Sequence, residues 1–464
     1  MNYNNDELVK ELKSKIGDKY VYSDESRLEA YNFDGTEYRY LPDIVVEPEN
    51  AQQISELMKL ATKYRIPVIP RGTGTGLSGG ALAIHGGILL SFLRMNRILD
   101  IDDVNMTATV QPGLINYHLH EKLAERGLYY PPDPASYETS SIGGNIAEDA
   151  GGPHCYKYGT TRDYILGMEV VLPNGHIIKT GVKTRKGVVG YDIHDLIIGA
   201  EGTLGVVTEA TLRLIPLPQN VMTLLVFYRE PSDLVNSMRE FTKSRIVPAT
   251  IEFMDKACTQ IVKNEIPFKI PSEAQVLAII EIDGENEVIE SQVETLGEVC
   301  LENNAIDILI AESSHKRKGL WDVRRKMRDV IKETVSFKRS EDVVVPISHI
   351  PELIAGCNTI ASKYSLTNYN YGHLGDGNVH VNLTHLAKDE DIKEAAKKAF
   401  IEIFELTLGL GGTISGEHGI GFTKKPYIDM ELSFESIRLQ KEIKRIFDPL
   451  NIMNPGKIFQ IDSD

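Results

Sequence analysis

Two stretches of this 464-residue chain hold residues suited to metal-assisted proton chemistry. The first, Tyr371-Gly-His373-Leu-Gly-Asp-Gly-Asn-Val-His380-Val-Asn382, carries two histidines. The second, Gly416-Glu417-His418-Gly419, is an acid–base pair flanked by glycines. Two neutral imidazoles and a carboxylate suit a divalent ion with open positions, such as Zn²⁺, Mn²⁺ or Fe²⁺. The spacing alone leaves open a second reading, in which both histidines are core residues bonded to backbone. On one uninterrupted strand His373 and His380 would face opposite sides, because strands alternate and seven is odd. Gly375-Asp376-Gly377 supplies a turn that lets the imidazoles converge. Asn382, two residues beyond His380, shares its face and joins the candidate catalytic residues.

A third stretch, Arg71-Gly-Thr-Gly-Thr-Gly-Leu-Ser-Gly-Gly80, has five glycines in ten positions. Glycine accepts positive φ, so successive N–H groups can turn toward one point and form an anion-binding concavity. A linker would also be glycine-rich, but this segment is bounded by strand-like IPVIP and ILLSF. Gly74-x-Gly76-x-x-Gly79 formally matches a dinucleotide fingerprint, with Asp100 downstream. A Rossmann helix must follow the third glycine, whereas His85-Gly86-Gly87 breaks the chain almost at once. The loop reads as a pyrophosphate cradle of another architecture.

These residues need elements to hold them. Ile54, Leu57, Met58 and Ala61 recur at helical spacing, predicting a helix over 51–64 capped by Asn50. A short amphipathic helix is expected over 7–17 and another over 116–126. Strands are expected at 43–47, 66–70, within 88–111, and at 168–172 and 175–179, the last two joined by Pro173-Asn174. From 131 to 159 the chain is dense in Pro, Gly, Ser and Thr, without a regular period, and reads as a long functional loop. Residues 221–350 alternate strands and helices as a separate α+β unit. A third unit carries the histidine stretch, a long helix near 387–409 and the Glu417-His418 turn. From the segment 319–328 onward, Leu320, Val323, Met327, Val330 and Ile331 form an apolar stripe. Arg324 borders that stripe, while Arg325 and Lys326 point away to solvent.

PRGTGTGLSGG, SSIGGNIAEDAGG (140–152) and EGTLGVVTEATLRL (201–214) together resemble the vanillyl-alcohol-oxidase-type FAD-binding fold. Within it, over about residues 38–460, the chain resembles the D-2-hydroxy-acid dehydrogenase group, which includes D-lactate dehydrogenase, the glycolate oxidase flavoprotein subunit and D-2-hydroxyglutarate dehydrogenase. The resemblance implies an α+β fold: a two-part FAD-binding domain (38–217), then an α+β cap or substrate domain with a C-terminal segment (218–464), after an N-terminal helical extension (1–37). It implies FAD held by Arg71, Gly72, Thr73, Gly74, Thr75, Gly76, Ser78 and Gly79 at the pyrophosphate. Pro134, Thr139, Ser140, Gly143, Gly144, Asn145, Gly151 and Gly159 would lie along the flavin. Glu201, Gly205, Val207 and Asn454 would complete the cofactor site. With no His or Cys between Arg71 and Gly80, the flavin is expected to be non-covalent. The resemblance also implies His373, His380 and Glu417 as metal ligands, His418 as catalytic base, and Arg324 and Lys338 as substrate-binding cations.

The implied chemistry is self-consistent. Oxidising an α-hydroxy acid removes the O–H proton and the Cα hydride, and a free alcohol is a very weak acid. A metal can lower the pKa of bound water from about 15.7 to about 7, at about 1.4 kcal/mol per unit. A histidine with an ordinary pKa near about 6.5 can then accept the proton. The hydroxyglutarate enzyme's Lys-Tyr-Asp pattern is replaced here by Lys338-Arg339-Ser340-Glu341-Asp342, and the EDVVVP run resembles the lactate and glycolate enzymes. D-Lactate is therefore the expected substrate. Glycolate, and the non-redox alkylglycerone phosphate synthase chemistry on the same fold, are the alternatives, along with a role mainly as an electron-transfer or assembly subunit.

Composition narrows the partners. With 50 basic and 66 acidic residues the net charge is −16, which repels phosphate backbones and argues against nucleic acid. The four cysteines (155, 258, 300, 357) form no C-x-x-C pair, so neither a disulfide framework nor a cluster is read from them. Electrons are expected to leave to an electron-transferring flavoprotein, an iron–sulfur subunit or a quinone. The N-terminus lacks a basic segment followed by an apolar one, and no apolar run approaches the roughly 20 residues of a membrane span. A cytoplasmic protein, associated with a membrane only through a partner, is the expectation.

Overall fold

The run Ala51–Tyr64 is helical because its apolar residues fall on one face, and Asn50 caps it by accepting from the Gln53 N–H at 3.0 Å. Arg65, in the left-handed region at φ 53°, ends it. The buried face (Ile54, Leu57, Met58, Ala61) packs in one core with Leu8, Leu12 and Ile16 of the helix Asn5–Ile16. The computed structural model describes residues 5–266, 268–311 and 313–461. It divides into two compact units: 1–151, 160–217 and 417–464 form the first, and 152–159 with 218–416 form the second.

Among the described residues the first unit holds a two-stranded sheet, Leu128–Tyr129 with Ile215–Pro216, and two larger ones. One has four strands in the order Val21–Tyr22, Ile44–Val46, Ile88–Ser91, Val68–Arg71, the last three mutually parallel. The other is antiparallel, in the order Ile98–Asp102, Thr107–Val110, Val206–Arg213, Ile165–Val171, Ile177–Gly181. Its hairpin pairs Val171 with Ile177 around the Pro173-Asn174 turn.

Three expectations are revised here. The N-terminal residues are not a separate extension: their helix is part of the first core, and Val21–Tyr22 is an edge strand of its sheet. The stretch 131–159 contains the helices Ile142–Glu148 and Cys155–Tyr158. Ser141 caps the former by accepting from the Gly144 N–H, and Ile142, Asn145 and Ile146 are buried at i, i+3 and i+4. Gly143 and Gly144 hid that period, since glycine adds no apolar signal. Finally, 218–464 does not form one compact unit. Residues 417–464 return to the first, where Met453 bridges Val68 in parallel and Lys444 donates to the Thr203 carbonyl at 2.7 Å.

The second unit is built on one antiparallel sheet of seven strands. Their order is Ala305–Ile310, Asn220–Tyr228, Val276–Gly284, Thr250–Asp255, Thr367–His373, Asn378–His385, Phe337–Val344. The segments expected as separate second and third units therefore share a single sheet. The helix Ser314–Thr334 lays Leu320, Val323, Met327 and Ile331 against Leu225, Phe227, Met254, Leu277 and Tyr371. Among the described residues no helix is long and apolar enough to cross a membrane.

Candidate active site

In the second unit the histidine stretch is a hairpin. The strand Thr367–His373 leads through a single 3₁₀ turn, Leu374–Asp376, and Gly377 at φ 86° into Asn378–His385. Tyr371 pairs with His380, so the turn reverses the odd count and places His373 and His380 on one face. Their ring centroids stand 5.3 Å apart in an edge-on arrangement, and both side chains are buried. Asn382 shares that face, fully buried, accepting from the Ser340 hydroxyl at 2.6 Å and donating to the Tyr369 and His380 carbonyls.

Register adds a residue that sequence reasoning missed. Glu252, in the strand Thr250–Asp255, sits directly across from His373. It is fully buried, hydrogen-bonds His373 Nδ1 through Oε1, and pairs with Arg324 through Oε2 at 2.5 Å. Arg324, at 5% exposure, lies over the Tyr371 ring at 4.8 Å, and its buried Nε and Nη2, like Glu252 Oε2, make no hydrogen bond, so its contact with Glu252 is an ion pair. The one signal available was a carboxylate inside TIEFMD, an otherwise strand-forming run whose six residues are all buried. Buried carboxylates need partners, but nothing in the run names them.

Lys338 is half-buried and donates to the Arg328 carbonyl at 2.8 Å. Burial, with the Arg328 charge nearby, pushes its ammonium down to about 7. The chain leaves this unit at Gly416, whose N–H donates to buried Asp342, the cross-strand neighbour of His380. Glu417 is the next residue. Gly159, expected along the flavin, belongs to this second unit and ends the helix Cys155–Tyr158 at φ 86°.

In the first unit the glycine-rich segment follows the strand Val68–Arg71. Gly72 abuts Ser141, where a Cβ would collide with its hydroxyl, and Gly79, at φ 81°, faces the Phe422 ring so closely that any side chain would overlap it. Ser78 and Ser140 hydroxyls and the Asn145 amide nitrogen are buried without a hydrogen-bond partner. Buried polar atoms normally find partners, so neutral donors left over around a glycine loop fit a ligand rich in acceptors, as FAD is. Gly143 donates to the Pro112 carbonyl, Pro134 and Gly151 are buried, and Thr73 and Thr139 are exposed. Gly205 lies against Val170, and Val207 is half-buried on the strand Val206–Arg213.

Three residues expected to touch the cofactor direct their polar atoms into the protein. Arg71 is buried and donates to the Phe33 carbonyl at 2.5 Å. Asn454 donates to the Gly80 and Glu201 carbonyls, both at 2.8 Å, and accepts from Lys457. Glu201 accepts the Ile420 N–H on one oxygen and the Gly421 N–H on the other, each at 2.7 Å. Burial pushes its carboxyl up, and those two N–H groups oppose the shift. Glu201 thereby clamps the turn that carries half-buried His418.

By comparison with known proteins the chain belongs to the FAD-linked oxidases. The family described as "FAD linked oxidases, C-terminal domain" matches residues 217–458, and "FAD binding domain" matches 42–181. The chain is 41% identical to "Glycolate oxidase subunit GlcD" of Bacillus subtilis (strain 168), over 93% of this chain and 92% of the relative. It is 35% identical to a "D-lactate dehydrogenase" of Anaerostipes hadrus, over 90% and 89%. A "D-2-hydroxyglutarate dehydrogenase" of Stutzerimonas stutzeri (strain A1501) is 33% identical, over 97% and 98%. Among solved structures, p-cresol methylhydroxylase superposes with a TM-score of 0.81 at 16% identity, covering 99% of this chain and 98% of that one. The protein is an FAD-binding oxidoreductase of the D-lactate, glycolate and D-2-hydroxyglutarate dehydrogenase type, with the vanillyl-alcohol-oxidase-type fold.

Proposed function

We propose that this chain is a dehydrogenase of a small D-2-hydroxy acid that uses non-covalent FAD and a divalent ion, and that it converts D-lactate to pyruvate. The observation that carries the reading is the shared face of the second unit's sheet: two imidazoles 5.3 Å apart beside a buried guanidinium with an unused Nε. Imidazoles so placed suit an ion, and a guanidinium with a free donor suits a carboxylate.

FAD, held by the glycine-loop cradle, would supply the acceptor for the Cα hydride and its two electrons. His373, His380 and Glu417 would hold a divalent ion, which would supply Lewis acidity at the substrate hydroxyl. Arg324 binds the substrate carboxylate through its fork of donors, and Lys338 adds a second positive charge while it is protonated. Asn382, locked by Ser340 and two carbonyls, keeps the hairpin register beside His380. His418 accepts the hydroxyl proton, and the Glu201 clamp on Ile420 and Gly421 fixes the turn that carries it. Ser78, Ser140 and Asn145 donate to the cofactor. The electrons then pass to an electron-transferring flavoprotein, an iron–sulfur subunit or a quinone, in a cytoplasmic setting.

A second reading, glycolate as substrate, is favoured by the 41% identity to a relative named as a glycolate oxidase subunit. Anaerobic mixing with D-lactate, L-lactate, glycolate and D-2-hydroxyglutarate, with elemental analysis of the same sample, separates the two. The proposal expects D-lactate to bleach the flavin absorbance fastest, with about one divalent ion per chain. Faster bleaching by glycolate moves the assignment to that acid, and an oxidised flavin with all four ends it.

A further inference from the structure

We infer that Glu252 is a positioning residue whose single carboxylate fixes both the tautomer of His373 and the direction of Arg324. The inference rests on the reading above, in which His373 ligates a divalent ion and Arg324 takes the substrate carboxylate. Glu252 is fully buried, so water cannot solvate its charge, and its two oxygens serve different partners. Oε1 accepts a hydrogen bond from Nδ1–H of His373, the residue directly opposite in register. With the proton held there, Nε2 is left as the lone-pair nitrogen, the one a metal requires. Oε2 holds Arg324 at 2.5 Å while the Tyr371 ring lies beneath the guanidinium at 4.8 Å. Held on two sides, Arg324 is left with a buried Nε for a third partner.

A stabilising role alone accounts poorly for this arrangement. A buried ion pair gives little net stability compared with well-packed apolar residues of similar size. The surroundings are apolar enough for that alternative, since Leu320, Val323, Met254 and Tyr371 are packed in the same cluster. What an apolar trio cannot do is set a ring tautomer and a guanidinium direction from one rigid point on a strand. One carboxylate thereby ties the imidazole that would ligate the ion to the cation that would take the substrate carboxylate.

The test compares FAD-loaded wild type, Glu252→Gln and Glu252→Ala by Mn²⁺ titration calorimetry, by kcat and KM for D-lactate, and by melting temperature. Gln keeps one oxygen to accept from His373 but turns an NH₂ toward Arg324. The expected result for Glu252→Gln is Mn²⁺ affinity within about threefold of wild type and a KM raised about tenfold or more. In Glu252→Ala, Mn²⁺ affinity is expected to fall about 10- to 100-fold as well, the range for removing a partner of a metal-bound histidine. A scaffold role would not separate ion affinity from KM. Wild-type Mn²⁺ affinity and KM in either variant overturns the inference, as does equal loss of both in Gln and Ala. If the Ala protein fails to fold, the split in Glu252→Gln decides alone. A wild type that takes up no divalent ion overturns the functional reading, and this inference with it.

Discussion

In the first unit the fold leaves neutral donors over around the glycine loop, among them the Ser78 and Ser140 hydroxyls and the Asn145 amide nitrogen, buried without a hydrogen-bond partner. In the second, the buried groups are charged and set against one another: Glu252 hydrogen-bonds His373 and forms an ion pair with Arg324, whose Nε and Nη2 make no hydrogen bond. A neutral orphan costs modestly and waits for a ligand, whereas an unmatched buried charge costs far more. The cradle can therefore stand ready with its donors unsatisfied, while the charged array must be assembled with the fold itself. Substitutions in the two regions should fail differently: cradle variants by losing flavin, array variants by losing stability or substrate affinity.

The largest effect expected belongs to the turn that the first unit clamps. His418→Ala should cut kcat by about 10²- to 10⁴-fold, the usual worth of a positioned base, with the 450 nm absorbance of bound FAD unchanged. Retained turnover would remove the base assignment. Next, Arg324→Ala should cost about 3–5 kcal/mol of stability, because it strands the buried Glu252 carboxylate. Denaturant unfolding measures this, and a loss under about 1 kcal/mol would show that the array is not the ion-paired set described. Gly79→Ala should cost about 1–3 kcal/mol from the positive φ, with more from overlap with Phe422. Its signature is a lowered ratio of flavin to protein absorbance at preserved substrate KM in whatever fraction stays loaded. A fully loaded Gly79→Ala protein would blunt the contrast between the regions.

A smaller effect comes from Lys338, whose ammonium is pushed down by burial from its ordinary 10.5 to about 7. Its charge is present below that value and fades above it, so KM for D-lactate should rise a few-fold as pH passes about 7. Lys338→Arg, which stays charged, should flatten the rise. The stability sign is separate. Between about 7 and 10.5 the unfolded chain holds more protons than the folded one, so this group makes the fold more stable as pH increases across that window. A pH-independent wild-type KM would remove Lys338 from substrate binding.

The same contrast explains what could be read in advance. The cradle was legible because its information is local: five glycines within ten residues restrict the backbone whatever surrounds them. The histidine hairpin was legible for a similar reason, since Gly375-Asp376-Gly377 forces the reversal that brings the rings together. Arg324 was readable from its place beside an apolar helical stripe. Glu252 was not, because it lies 121 residues from His373 in sequence, and only strand pairing makes them neighbours. Nor could sequence show that Glu201 and Asn454 turn their polar atoms toward distant backbone, 219 and 374 residues away. The helix within 131–159 was missed because two glycines interrupt its period, although Ser141 was a visible cap.

The first unit is interrupted in sequence: residues 218–416 fold elsewhere before 417–464 supply Asn454 and the turn held by Glu201. On a ribosome adding about 5–20 residues per second, translating the intervening stretch takes roughly 10–40 s. Through that interval the glycine segment exists without the strap that closes on its carbonyls. Because the strap comes last in the chain, the pocket around the glycine segment can close only after every strand of the second unit's sheet has been synthesised.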